Sequence, residues 1–306
     1  MKVAIGFFDG VHLGHQAILK GADAALTFRN HPLTVLAPER APRLIMSPGE
    51  RVAAIKACGV KDVTMLDFTT ELANLPPGEF ASRFLSSSGF CLPSSPLLSS
   101  VRCGQNWRFG KGGAGDADFL RRLGFDVAVV SYAVYKDEPI SSSRIRACLE
   151  RGEIEDANVM LGRRFQVSGF RFQGKGVGAK LGYPTVNLKL ETCNLKLPFG
   201  VYEVAIGVQT AIANYGLAPT MGDKSWKAPV LEVHLLDNRT IEQSEQPNNL
   251  SVSFVRFIRP ERKFDSVQDL QRQIALDCSE VAMRRTESGV SVQGLFRNFS
   301  VRHAYP

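Results

Sequence analysis

The sequence predicts a two-domain α/β protein, an N-terminal doubly wound parallel sheet followed by a smaller, mostly β domain that closes as a small barrel. Three observations carry this. Up to about residue 150, short apolar runs alternate with helix-period segments. From Phe165 the apolar runs are instead separated by Gly, Pro and Asn. And 306 residues are enough for about two hydrophobic cores.

Taken in order, Val3–Phe8 is an apolar run too short for a membrane span and fits a buried parallel strand, which Asp9-Gly10 ends with a tight turn. A helix is expected to open near Val11 or His12, with its regular stretch over Leu13–Lys20. Strands are predicted at Ala24–Phe28, Val63–Phe68, Leu98–Cys103 and Val127–Tyr132. Helical stretches at Pro48–Cys58, Pro77–Ser86 and Asp116–Leu123 lie between several of them. Val52–Lys56 reads as part of a surface helix. Ser-rich 141–144, followed by Ile145, Cys148, Leu149, Val159 and Leu161, reads as helices joining the halves. Domains are therefore expected at 1–158 and 159–283. The second domain takes strands at Phe165–Phe172, Gly200–Val208, Thr210–Ala213, Val230–Leu236 and Leu250–Ile258. A helix over Asp265–Met283 packs on them through Val267, Leu270, Ile274 and Val281. Residues 284–306 carry no assignable pattern.

Composition narrows the function classes. Hydrophobic content of 44% with 22% charged residues is that of a globular protein, and the net charge of +7 favours polyanions. With no dense Lys/Arg block, nucleotides are preferred over nucleic acid as partners. No run of eighteen apolar residues exists, and the first apolar run stops at Asp9, so neither membrane span nor signal peptide is predicted and a cytoplasmic location is expected. Cys58, Cys91, Cys103, Cys148, Cys193 and Cys278 are isolated from one another and are expected to be reduced.

The junction of the first strand and helix is the leading site candidate. Ligands of doubly wound sheets bind outside the carboxyl ends of the strands, where a helix start presents unpaired N–H groups to anions. His12 and His15, three apart, share one helix face, and Gly14 lets a flat base lie close to the backbone. Ile140-Ser141-Ser142-Ser143-Arg144-Ile145-Arg146 is a second phosphate candidate. One serine would suffice as an N-cap, whereas three hydroxyls and two guanidiniums make a phosphate cradle. Phe109–Asp116 lacks the spacing of a Walker loop and reads as a flap.

In the second half, Gly174, Gly176 and Gly178 alternate, with Lys175 and Lys180 supplying charge. Such a run permits close approach to phosphates, or simply forms a glycine-rich hairpin loop. In Leu231–Asp237, alternation that buries Leu231, Val233 and Leu235 puts Glu232 and His234 on the opposite face.

Gly6-x-Phe8-Asp9-Gly10-Val11-His12-x-Gly14-His15 together with Ile140-Ser141-Ser142-Ser143-x-x-Arg146 resembles the HxGH nucleotidyltransferases. Ser143 stands where their second motif has threonine. Thr27-Phe28-x-x-His31-Pro32 and Gly104-x-Asn106-x-Arg108-Phe109-Gly110-Lys111 make the N-terminal half similar to the bacterial bifunctional riboflavin kinase/FAD synthetases. Leu181-Gly182-Tyr183-Pro184-Thr185-Val186-Asn187 resembles the kinase motif Pro-Thr-Ala-Asn of the same family. Gly200-Val201-Tyr202, Ala213-Asn214-x-Gly216 and Leu231–Asp237 extend the likeness. Two departures stand out: Ala179 where the family usually has arginine, and 238–249 without a Tyr-Gly-Lys turn.

The resemblance implies that ATP and Mg²⁺ serve two reactions, riboflavin to FMN in the β domain and FMN to FAD in the α/β domain. It implies that His12 and His15 stabilise charge on the phosphates, with Arg146, Ser141, Ser142 and Ser143 on the β/γ side. Phe8, Asp9 and Gly14 would border the adenosine, and Asn30, His31 and Asn106 would contact flavin or phosphate. In the second site it implies Gly174, Gly178 and Lys180 near ATP phosphates, Thr185 and Asn187 as Mg²⁺ ligands, and Glu232 as the base. Two other readings remain at this point: an FAD synthetase whose kinase domain only binds flavin, and a noncatalytic flavin sensor.

Overall fold

The computed structural model describes residues 1–85, 100–172, 177–190, 197–217, 229–236, 249–288 and 302–303. They form two compact units, Met1–Ser142 with the strand Arg302–His303, and a second that begins at Ser143.

The first unit is a five-stranded sheet in the order β3-β2-β1-β4-β5, every neighbouring pair parallel. Its strands are β1 (Lys2–Ile5), β2 (Ala24–Phe28), β3 (Asp62–Leu66), β4 (Ser100–Gly104) and β5 (Val127–Val130). β1 lies at the centre, and Val3, Ala4 and Ile5 are all buried because helices and loops cover both faces. The intervening helices are α1 (Leu13–Leu19), α2 (Leu33–Leu36), α3 (Pro48–Ala57), α4 (Thr70–Ala73), α5 (Pro77–Phe84) and α6 (Ala117–Arg122). The strand predicted over Val127–Tyr132 is two residues shorter. β5 stops at Val130, and Ala133–Tyr135 (β6) starts a separate small sheet with β7 (Glu138–Pro139).

The second unit opens with α7, which spans Ser142–Arg151, and α8 (Ile154–Leu161). Its body is a closed antiparallel barrel of β8 (Phe165–Phe172), β9 (Val186–Leu190), β10 (Gly200–Ile206), β11 (Gln209–Leu217), β12 (Pro229–Leu235) and β13 (Asn249–Pro260), ordered β10-β11-β12-β9-β8-β13. β9 was not anticipated, because its polar alternation is short and follows the glycine-rich run. Val177–Lys180 (α9) is one helical turn rather than a hairpin loop. Asn158 fixes α8 to the barrel, donating to the Phe254 carbonyl at 2.9 Å and accepting from the Phe165 amide at 2.6 Å.

α10 (Val267–Ser288) runs beyond the predicted end at Met283. Its anchors are largely ionic. Arg256 is held by Glu203 and Glu280, each at 2.7 Å, and Arg259 grips Asp277, also at 2.7 Å. Val281 is buried as expected, whereas Val267, placed on the packing face by the sequence, is 57% exposed. Within the unassigned tail, Arg302–His303 (β14) pairs antiparallel with β6.

Candidate active sites

The first site is built where β1 ends. Thr27 donates to the Phe7 carbonyl at 2.9 Å, and the chain then turns through Phe8 (φ 57°), Gly10 (φ 80°) and Val11 (φ 39°). Left-handed conformations at two non-glycine residues cost on the order of 1–3 kcal/mol each and collect at functional loops. The turn sends Phe8 inward, 1% exposed, where it meets the His15 ring edge-on at 5.3 Å. Asp9, also 1% exposed, accepts from the amides of Ile45 at 3.0 Å and Met46 at 3.4 Å. Both were expected to border the adenosine. Instead their side chains are buried beneath the left-handed turn.

The helix begins at Leu13, one residue after His12. His12 is the N-cap, its Nδ1 accepting from the His15 amide at 3.3 Å, and the two rings stack with centroids 3.6 Å apart. Gly14 is required by this stack, since a Cβ there would lie 3.2 Å from two atoms of the His12 ring. His15 Nδ1 is sealed from solvent and has no hydrogen-bond partner among the described residues. Burial first, then the neighbouring His12 and Arg51 charges, hold the His15 pKa well below the ordinary imidazole value. At neutral pH His15 is therefore an uncharged donor or acceptor.

Ser142 Oγ donates to the Asp9 carbonyl at 2.8 Å. Ser141 is half-buried, Ser143 is exposed, and Arg146 Nη2 donates to Ser143 Oγ at 3.1 Å. Asn30 is occupied by structure: its amide group donates to the Phe68 carbonyl and accepts from the Phe68 amide, both at 2.9 Å, joining the ends of β2 and β3. His31 packs edge-on against Phe7 at 4.8 Å and accepts from the Leu33 amide. Asn106 is exposed just beyond β4.

Arg51 belongs to no motif that pointed to this site. The helix expected at the surface buries Arg51 and Ile55 completely, both 0% exposed. The only available signal was their i, i+4 spacing.

In the barrel, Glu232 on β12 lies opposite Asn187 on β9 and opposite Asn214 on β11. Cross-strand partners share a sheet face, so the carboxylate is flanked by two side-chain amides. Thr185, Tyr183, Asn214, Glu232, His234, Arg259 and Glu261 line a cavity of about 360 Å³. Burial, and then the like charge of Glu261, raise the Glu232 pKa above the ordinary carboxylate value. His234 Nδ1 lies 2.9 Å from the Pro184 carbonyl, and its ring meets Tyr183 edge-on at 5.3 Å. Gly216 makes room for Glu261, whose Oε1 would lie 2.6 Å from an added Cβ. Gly178 packs against Thr185 and Tyr183, and Lys180 ends α9. Gly174, Lys175, Gly176 and Asp237 lie outside the described residues, as does the side chain of Lys180. Glu261 belongs to Arg259-x-Glu261-x-Lys263-Phe264, which continues the family likeness, but its place beside Glu232 follows from the folding of the barrel and not from that motif.

A histidine pair at the carboxyl edge of a parallel sheet, with a half-buried carboxylate in a small closed barrel, defines a two-domain nucleotide-dependent transferase. Residues 1–144 match the FAD synthetase family and residues 161–284 the riboflavin kinase family. The bifunctional riboflavin kinase/FMN adenylyltransferase of Listeria monocytogenes is 32% identical over 292 residues, covering 90% of this chain and 89% of its own. That of Bacillus subtilis is 29% identical over 299 residues, covering 91% and 90%. A solved structure from Streptococcus pneumoniae, described as a macrolide-efflux protein, superposes with a TM-score of 0.77 at 26% identity and covers 98% of this chain and 94% of its own. The chain belongs to the bifunctional riboflavin kinase/FMN adenylyltransferase family. Among the described residues no helix is long and apolar enough to cross a membrane.

Proposed function

We propose that the chain phosphorylates riboflavin to FMN in its barrel domain and adenylylates FMN to FAD in its parallel-sheet domain, with ATP as the donor in both. The observation that carries this reading is the pairing of two family matches, one to each fold, over residues 1–144 and 161–284. We assign residues 1–158 to the adenylyltransferase and 159–283 to the kinase. The reading carries a cytoplasmic location, where ATP and flavins meet the enzyme, and needs neither nucleic acid nor a membrane.

In the adenylyl transfer of the parallel-sheet domain an oxygen of the FMN phosphate attacks the α-phosphorus of ATP as the bond to the β-phosphate oxygen breaks and pyrophosphate leaves. Such a transfer depends on positioning and charge stabilisation rather than on a protein nucleophile. His12 and His15 donate to the reacting phosphates, while Ser141, Ser142, Ser143 and Arg146 hold the departing oxygens. The inward placement of Phe8 and Asp9 makes them supports of the turn. Gly14 keeps the histidine stack closed. His31 and Asn106 remain the flavin-side candidates, whereas Asn30 serves by fixing that edge.

In the phosphoryl transfer of the barrel domain the terminal ribityl hydroxyl of riboflavin attacks the γ-phosphorus, its proton passes to Glu232, and ADP leaves. A raised pKa suits a carboxylate that must accept that proton. Thr185 and Asn187 offer only oxygen donors to a cation, the ligand chemistry that suits Mg²⁺ with phosphate and water completing the shell. When bound, Mg²⁺ neutralises phosphate charge. Gly178, with Gly174 and Lys180, belongs to the run that borders the ATP phosphates.

The test is to supply riboflavin or FMN separately with ATP and Mg²⁺ and separate the products by chromatography. Both FMN and FAD are expected. FAD from FMN without FMN from riboflavin would leave an adenylyltransferase with a flavin-binding barrel. Absence of pyrophosphate release would leave a sensor.

A further inference from the structure

Arg51 is fully buried, yet it uses only part of its donor capacity. Nη2 donates to the carbonyls of Phe28 at 2.6 Å and Arg29 at 2.9 Å, the last residue of β2 and the one after it. Nε and Nη1 are shielded from solvent and have no hydrogen-bond partner among the described residues. A guanidinium carries five N–H donors in fixed directions, and leaving charged donors dry and unused is costly. If its task were only to tie down two carbonyls and fill space, the remaining donors would be a liability.

The position of the group supplies a reason. The guanidinium lies over the Phe7 ring, 4.2 Å from its centroid, at the carboxyl edge of β1 and β2. That edge also bears the stacked histidines, and the buried His15 Nδ1, without a hydrogen-bond partner among the described residues, is a second unused polar atom there. Asp9 partly offsets the charge of Arg51 but is already engaged with the amides of Ile45 and Met46. The start of α3 is rigid, because Ser47 and Glu50 form a reciprocal capping box immediately before Arg51.

We propose that Arg51 is a phosphate ligand of the adenylyl-transfer site, with Nη2 anchored on β2 while Nε or Nη1 donates to a phosphoryl oxygen of the bound substrate. Phe7, half-buried above the guanidinium, is the group that turns aside to admit the ligand. The inference rests on the reading of this site as the place of FAD formation. A phosphoryl oxygen is offered by ATP and by FMN alike.

Crystals of the wild-type protein with Mg²⁺ and a non-hydrolysable ATP analogue, and others with FMN, distinguish the two sources. Arg51 Nε or Nη1 is expected within hydrogen-bond distance of a phosphate oxygen in one of them. A guanidinium that contacts no phosphate oxygen in either complex overturns the proposal. In solution, Arg51→Met and Arg51→Lys are expected to lower kcat/KM for FAD formation by about tenfold to a hundredfold. The rise in KM should fall on ATP or on FMN in agreement with the crystals. Riboflavin phosphorylation, the internal control for folding, should stay within about twofold of wild type. FAD formation within about twofold of wild type in Arg51→Met also overturns the proposal. Should that variant fail to fold, the wild-type complexes decide alone. Failure of the wild-type protein to make any FAD from FMN and ATP would instead overturn the reading of the site.

Discussion

Replacing Gly14 by alanine probes how tightly the histidine stack is held, and two other glycines make the measurement clean. Gly14, Gly49 and Gly78 each occupy the second position of a helix, in α1, α3 and α5. None has a positive φ, and a Cβ on Gly49 or Gly78 would meet nothing within 4 Å. At those two sites alanine should stabilise by about 0.4–1 kcal/mol, chiefly by restricting the unfolded chain. The same gain applies at Gly14, but there the new methyl lies 3.2 Å from both Cε1 and Nδ1 of His12. The ring has little room to retreat, since it stacks on His15 at 3.6 Å and its Nδ1 accepts from the His15 amide. Overpacking of this kind costs about 1–3 kcal/mol, so Gly14→Ala should be less stable than Gly49→Ala by that amount. At about 2–4 °C per kcal/mol, calorimetry resolves the difference in the transition of the N-terminal unit. FAD formation should fall in Gly14→Ala and persist in the two controls. Equal stabilisation at all three positions, with FAD formation unchanged, would refute the claim that His12 is locked by contact with Gly14.

His15→Ala should lower FAD formation by orders of magnitude and spare FMN formation, as measured by chromatography of the separate half-reactions; equal loss of both would contradict two independent sites. Glu232→Gln should do the reverse, reducing riboflavin phosphorylation by about 10²–10⁴-fold while FAD still forms from supplied FMN. Asn158→Ala leaves the Phe165 amide and the Phe254 carbonyl without their side-chain partner, so the barrel unit should lose about 2–4 kcal/mol in denaturant titration. A loss below about 0.5 kcal/mol would show that α8 is not held by this residue.

The barrel and the parallel sheet were both legible because each is written in local periodicity: buried parallel strands as unbroken apolar runs, barrel strands as short runs punctuated by Gly, Pro and Asn. β8 was placed over Phe165–Phe172 as found, whereas β9, short and weakly patterned, emerges only through its pairing with β8 and β12. The histidine pair was visible for the same reason, as two residues three apart after a strand.

Local pattern and motif were therefore enough for the architecture of each half and for the family to which the whole belongs. Which side chains meet across long stretches of chain came from the folded arrangement alone. Asp9 turns inward to amides 36 and 37 residues away, Arg51 reaches carbonyls 22 and 23 residues before it, and Glu261 bears on Glu232 from beyond the end of β13. Periodicity reports which face of an element a residue occupies, but the left-handed turn at Phe8 and the closure of the barrel decide what lies opposite that face.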